Sequence, residues 1–258
     1  MDQMDEVELA TVPSKIESDI QEIIKEFLPS VNEKFELLRT LSSGVATGNL
    51  QGLVVRGAAG IGKTFTVLDH LRNKHVRKSK DPIKVKHLCG HITPLQTYKT
   101  LEANRDNKSI VVFDDCDAVF TELTSLNILK AACDTGKFRR VSWNSSKADT
   151  EAFDYDGGMI IISNAEFKND HYQAFIDRVH LYDMKVSNKE KIAKIYDTST
   201  RIGDVRPKVA KEISEWLFSN EKYVDYLSMR TFYKIAQLTK ISTEWKKLAE
   251  VTVFTNVE

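Results

Sequence analysis

The chain has 258 residues, 41% hydrophobic and 29% charged, enough apolar material for one large domain or a medium domain with a small companion. Lysine plus arginine and aspartate plus glutamate number 37 each, so the net charge is zero; any nucleic-acid contact must come from a local patch or from assembly. No apolar run approaches a membrane span, the acidic N-terminus does not read as a signal peptide, and Cys89, Cys116 and Cys133 lack paired spacing, so the expectation is a soluble cytoplasmic protein with reduced thiols and no membrane partner.

Residues 1–13 read as an acidic tail. Apolar residues at helical spacing predict helices over 14–28 and 31–42. Residues 52–56 form a short apolar strand that runs into a glycine loop, and a helix covers 63–73. A basic connection (Arg72, Lys74, Arg77, Lys78, Lys80, Lys84, Lys86) leads to a strand near 83–89; such a run could track phosphates but is more often a solvated face. Thr93-Pro94 opens a helix to 104. Strands follow at 109–113, 138–143, 159–163 and 179–184, with helices at 122–134 and 172–178 and a polar loop at 144–158. From 188 onward the pattern is helical (188–198, 207–219, 229–240, and a fourth near 243–250), with a possible strand at 251–255. Strands alternating with helices, then helices alone, predict an α/β parallel sheet covered on both faces, followed by a small all-α lid. The expected boundaries are 1–43 for tail and helical arm, 44–185 for the α/β domain and 186–258 for the lid.

The segment Gly57-Ala58-Ala59-Gly60-Ile61-Gly62-Lys63-Thr64 fits G-x-x-x-x-G-K-[ST] and sits between a strand and a helix. Glycines let successive backbone N–H groups turn toward phosphate oxygens, and the helix start adds its positive end. Lys63 would reach the β- and γ-phosphates and the Thr64 hydroxyl would ligate Mg²⁺. The expected ATP-binding set is Gly57, Ala59, Gly60, Ile61, Gly62, Lys63, Thr64 and Phe65.

Asp114 ends the apolar run Ile110-Val111-Val112-Phe113, where a carboxylate can hold Mg²⁺ through water. Asp115 follows as the candidate that polarises the attacking water; Asp117 is a third carboxylate nearby. The alternative for Asp115 and Asp117 is that they cap the next helix. The six histidines show no ligand spacing.

With these residues in place, residues 40–240 resemble the AAA+ ATPases, P-loop NTPases of the ASCE division, and in particular their minimal phage-type and helicase-loader-type members. Ile160-Ile161-Ile162-Ser163-Asn164 is similar to the strand ending in the sensor-1 residue; the resemblance implies that Asn164 lies between the two Walker strands and orients the lytic water. Gln173 to Val179 is similar to the segment ending in a trans-acting arginine, which implies Arg178 as the finger, with Arg139 and Arg140 as competitors. Leu227 to Tyr233 resembles the start of the lid helix carrying sensor 2, which implies Arg230, with Arg206 as second candidate. Plain readings stand beside each: a turn at Ser163-Asn164, a salt bridge at Arg178, a solvated face at Arg230. The sequence departs from the family in having aspartate at 115, where the family carries glutamate, and in lacking a clear pore-loop motif.

The resemblance further implies ATP and Mg²⁺ as cofactors and a ring-forming homo-oligomer, a hexamer above all. Lys137, Arg139, Arg140 and Trp143 fall on a segment that faces the family's central pore, where cations and an aromatic could grip DNA. The leading functional expectation is an ATP-hydrolysing motor or loader acting on nucleic acid. The alternatives are a protein-remodelling ATPase and a weakly hydrolysing switch. The two N-terminal helices are candidates for a protein-docking arm, or for packing beside the adenine.

Overall fold

The structure is a computed structural model that describes residues 15–136, 138–143, 151–199, 201, 205–224 and 226–254. Two helices were expected at the N-terminal end, but one continuous helix, α1 (Lys15–Ala46), runs through Pro29. Proline removes one intrahelical N–H, a loss that long flanking turns absorb. The chain divides into two compact units, with α1 contributing to both: residues up to Asn32 group with Ser187 onward, and Glu33–Val186 form the other.

The larger unit contains β1 (Gly52–Arg56), α2 (Lys63–His70), β2 (Lys84–Cys89), α3 (Pro94–Ala103), β3 (Ser109–Asp114), α4 (Ala118–Thr121), α5 (Leu123–Ala132), β4 (Arg140–Val141), β5 (Phe153–Asp154), β6 (Gly158–Ser163), α6 (Asp170–Ile176) and β7 (His180–Asp183). Five strands pair in the order β2-β3-β6-β1-β7, every pair parallel. Parallel strands buried on both faces read as continuous apolar runs. Val54, Val111, Phe113, Met159 and Ile161 enter one core with α3, α4, α5 and α6. Their alternates Leu53, Val55, Ile110, Val112, Ile160 and Ile162 are equally buried, so both faces are covered. The strand expected at 138–143 is reduced to β4, a two-residue pairing with β5. Of the expected 144–158 loop, residues 144–150 lie outside the described residues.

Beyond His70, α2 continues as a π-helical turn, Leu71–Arg77, which the sequence pattern does not announce. The wider turn places His70 and His75, five residues apart, against one hydroxyl: both Nε2 atoms meet Ser43 Oγ, at 2.8 and 3.0 Å. Burial, then the neighbouring Lys74 ammonium, holds both imidazoles below their ordinary pKa.

The second unit holds α7 (Asn188–Ser199), α8 (Pro207–Ser219), α9 (Met229–Ile241) and α10 (Trp245–Val253). Ile192, Ile213, Trp216, Phe232 and Trp245 centre its core, with Ile23 of α1 packed against it. The start of α7 is a capping box: Glu190 Oε2 accepts from the Ser187 N–H at 2.8 Å and Ser187 Oγ accepts from the Glu190 N–H at 3.2 Å. Instead of a strand at 251–255, α10 continues to Val253, and Phe254 stacks on Trp216 with centroids 5.2 Å apart.

Candidate functional site

β1 carries the chain into the Gly57–Thr64 loop. A Cβ at Gly57 would lie 2.6 Å from the Met184 carbonyl oxygen, so only glycine fits where the loop leaves the sheet. Gly62 adopts φ +99° at the N-cap of α2, a left-handed turn that lets the loop curl into an anion-binding nest. Ile61 is buried beneath the loop, whereas the side chain of Phe65, 74% exposed, faces solvent. Below the loop, Arg56 donates from Nε and Nη2 to the two Asp183 oxygens, at 3.2 and 3.0 Å, tying β1 to β7.

The side chains that the sequence singles out converge here. Lys63 is 5% exposed, and its ammonium donates to the carbonyls of Gly57 (2.7 Å) and Ala58 (2.8 Å) and to Asn164 Oδ1 (2.7 Å). The Asn164 amide donates in turn to Asp115 Oδ1 at 2.8 Å. The Thr64 hydroxyl donates to Asp114 Oδ1 at 2.7 Å. The strand order explains this meeting: β6, which leads into Asn164, lies between β1, which feeds the loop, and β3, which ends at Asp114.

Asp115 has φ +50°, the left-handed conformation, and its N–H donates to the Ile162 carbonyl at 3.0 Å. Asp117 stands at the N-cap of α4 without a side-chain capping bond. Its carboxylate instead accepts from the Ser163 hydroxyl at 2.6 Å, joining the turn after β3 to the end of β6. Cys116 lies between the two, and burial raises its thiol to about 11, which keeps it protonated.

The donor set suits Mg²⁺. Thr64 and Asp114 offer hard oxygens side by side. Among the described residues no three His, Cys, Asp or Glu side chains cluster as a metal site, so an ion here would draw its remaining ligands from water and phosphate.

One contact went unnoticed in the sequence. His87 of β2 places Nε2 3.4 Å from Asp114 Oδ2, on the side of the carboxylate away from the oxygen that Thr64 holds. The only sequence signal was a polar residue facing inward on an edge strand.

The outlying candidates are distributed differently. Arg178, after α6, donates to the Ala174 carbonyl, and its Nε lies 3.7 Å from Asp134. It shares a cavity of about 330 Å³ with Arg140, Lys130 and the exposed Phe138. Of the expected nucleic-acid residues, the three that the structure describes do not form one exposed set. Arg139 turns into the fold, donating to the carbonyls of Ala132 (3.0 Å) and Gly157 (3.1 Å) and lying over the Tyr155 ring. Trp143 packs against Tyr98. Arg140 is exposed, 3.3 Å from Asp154, and Lys137 lies outside the described residues. In the second unit, Arg230 is an exposed residue in the first turn of α9, while Arg206 is the N-cap residue of α8.

No family model matches the chain. It is 27% identical over 255 residues to an uncharacterized 36.7 kDa protein from the nrdC-mobD intergenic region of Enterobacteria phage T4, covering 90% of this chain and 77% of that protein. Among solved structures it is similar to domain III of the Thermotoga maritima replication initiation protein DnaA, with a TM-score of 0.50, 11% identity, and coverage of 87% of this chain and 89% of that one. A structure of the replication initiator DnaA bound to AMPPCP and single-stranded DNA matches with a TM-score of 0.47 and 12% identity, over 83% of this chain and 63% of that one. The likeness to domain III shows the fold: an α/β core of the P-loop type with a five-stranded parallel sheet.

Proposed function

We propose that this chain is an AAA+-type ATPase that binds ATP with Mg²⁺ and hydrolyses it within a homo-oligomeric ring acting on nucleic acid. The observation that carries the reading is the convergence of Lys63, Thr64, Asp114, Asp115 and Asn164 on one point at the end of β1, β3 and β6. Lys63 is parked on two loop carbonyls and Asn164; arriving phosphate oxygens would draw the ammonium to themselves. That motion frees Asn164 Oδ1 while its amide still holds Asp115, so Asn164 is placed to report phosphate occupancy to the carboxylate. Bound Mg²⁺ supplies neutralising charge to the phosphate oxygens. Thr64 and Asp114 are the residues that would hold it, Asp114 through water. Asp115 is the group that would orient and deprotonate the attacking water.

Arg178 is the proposed trans-acting cation, with Arg140 beside it in the same cavity. Arg230 is the proposed contact to the γ-phosphate from the helical unit. A second reading, an ATP-dependent switch that hydrolyses slowly, draws on the Asp115 carboxylate being short and already held by Asn164.

Nucleotide binding and turnover test the core of the proposal. Lys63→Ala is expected to weaken ATP binding about 100-fold, the scale of lost charge-assisted hydrogen bonds. Asp115→Asn is expected to retain ATP while abolishing turnover. Unchanged turnover in that variant would remove Asp115 from the mechanism, and wild-type turnover too slow to measure would favour the switch. DNA-stimulated turnover with a steep salt dependence supports the nucleic-acid role. Indifference to DNA would favour a protein partner, for which α1 is the proposed docking element.

A further inference from the structure

We propose that His87 is a positioning residue for Asp114, fixing the rotamer in which that carboxylate serves Mg²⁺. The inference rests on the nucleotide-site reading above and adds a residue to it.

Topology comes first. β2 and β3 are parallel partners with His87 opposite Val112 and Cys89 opposite Asp114. Paired residues in parallel strands share a face, and side chains alternate along each strand. His87 and Asp114 therefore project from the same side of the sheet, one pleat apart, and an imidazole is long enough to cover that step. Among the polar residues of β2, His87 alone is half-buried. Lys84, Lys86 and Cys89 are exposed, whereas the His87 side chain is 29% exposed against an 11% exposed Asp114 side chain.

Hydrogen-bond chemistry then fixes the roles. An ionised carboxylate only accepts, so the Nε2 atom at 3.4 Å from Oδ2 carries the hydrogen. Oδ1 is engaged from the other side by the Thr64 hydroxyl at 2.7 Å. A carboxylate gripped on both oxygens cannot rotate about its Cβ–Cγ bond without losing a partner. Thr64, however, is itself expected to turn to the ion when nucleotide binds. At that moment His87 becomes the contact that keeps Asp114 oriented. Groups that hold a metal-associated carboxylate from behind commonly contribute tenfold or more to metal affinity.

The test is the Mg²⁺ dependence of nucleotide binding, read by fluorescence of a labelled, non-hydrolysable ATP analogue on the full chain, so that turnover is not the readout. His87→Phe keeps an aromatic ring and removes the donor. His87→Gln restores an N–H donor close to the position of Nε2. The expected result is a Mg²⁺ midpoint raised about tenfold in His87→Phe and within about twofold of wild type in His87→Gln. Binding in excess EDTA and the thermal midpoint are expected to be alike in all three proteins. An unshifted midpoint in His87→Phe, or equal shifts in both variants, overturns the inference. So does an equal loss of binding in EDTA, which would make His87 a packing residue. Lys63→Ala keeps the two levels distinct. If it weakens binding as expected while His87→Phe changes nothing, only the role of His87 fails. If wild-type protein binds no nucleotide, the functional reading falls and this inference with it.

Discussion

Arg56 is the last residue of β1, and its guanidinium clasps both oxygens of Asp183. That hydrogen-bonded pairing holds the Asp183 carboxyl below the ordinary carboxylate range and raises Arg56. A depressed folded-state value means that the pair's stabilisation is complete above the unfolded carboxylate value of about 4 and is lost as pH falls through the lower folded value. Denaturant midpoints measured from pH 6 down to 2.5 are therefore expected to drop more steeply in wild type than in Arg56→Met. Parallel pH curves for the two proteins would show that the pair carries no acid dependence. One residue further on, Gly57→Ala is expected to cost about 2 kcal/mol, because a Cβ 2.6 Å from the Met184 carbonyl forces the loop or β7 to shift. Chemical denaturation measures this directly. Some of this chemistry was open to reading in one dimension. Lys63 and Thr64 belong to eight consecutive residues whose spacing is itself the mechanism. The His87–Asp114 contact was not open in the same way, because a sequence separation of 27 is closed only by the β2–β3 register.

At the scale of elements, helix and strand positions follow from periodicity, and failures occur where periodicity gives no information. β3 and β6 are apolar runs buried on both faces and stand where the pattern puts them. The π-helical turn after α2 has no such signature: Leu71–Arg77 is polar and basic except for Leu71 and Val76. The segment 138–143 pairs as a strand for only two residues, and its neighbouring cations leave the backbone on opposite sides, Arg139 inward and Arg140 outward. Arg139→Ala is accordingly expected to destabilise the sheet unit by about 2 kcal/mol, from two lost hydrogen bonds and a ring contact, without altering the salt dependence of DNA binding. A stable variant with weakened DNA binding would reverse that assignment. In the helical unit, Ser187→Ala removes one half of the capping box and is expected to cost about 1 kcal/mol. Its effect should appear in denaturant unfolding and leave nucleotide affinity unchanged.

At the scale of the molecule, the alternation of strands and helices was sufficient to anticipate the parallel sheet, and the chain divides into two units. The division of α1 between those units was not visible, since a continuous helix carries no boundary signal in its apolar spacing. Assembly is the property that the proposed function most depends on. If Arg178 acts in trans, mixing Arg178→Ala with Lys63→Ala subunits is expected to leave turnover only at sites that combine an intact loop with a neighbour's arginine. A mixture as inactive as either variant alone would place the arginine in its own subunit's chemistry. Size measurement with and without ATP shows whether nucleotide drives the association.

The left-handed backbone at Asp115 constrains how this site can change by mutation. Among residues with a side chain, aspartate and asparagine tolerate that conformation best, while longer side chains are held to a penalty of about 1–2 kcal/mol. Lengthening the carboxylate to the glutamate found across the resembling family is therefore not a single step. It adds reach and strain together, so the backbone turn must relax in a second, compensating substitution. The short acid and its bent peptide are coupled, and a variant search that varies position 115 alone is expected to find mostly losses.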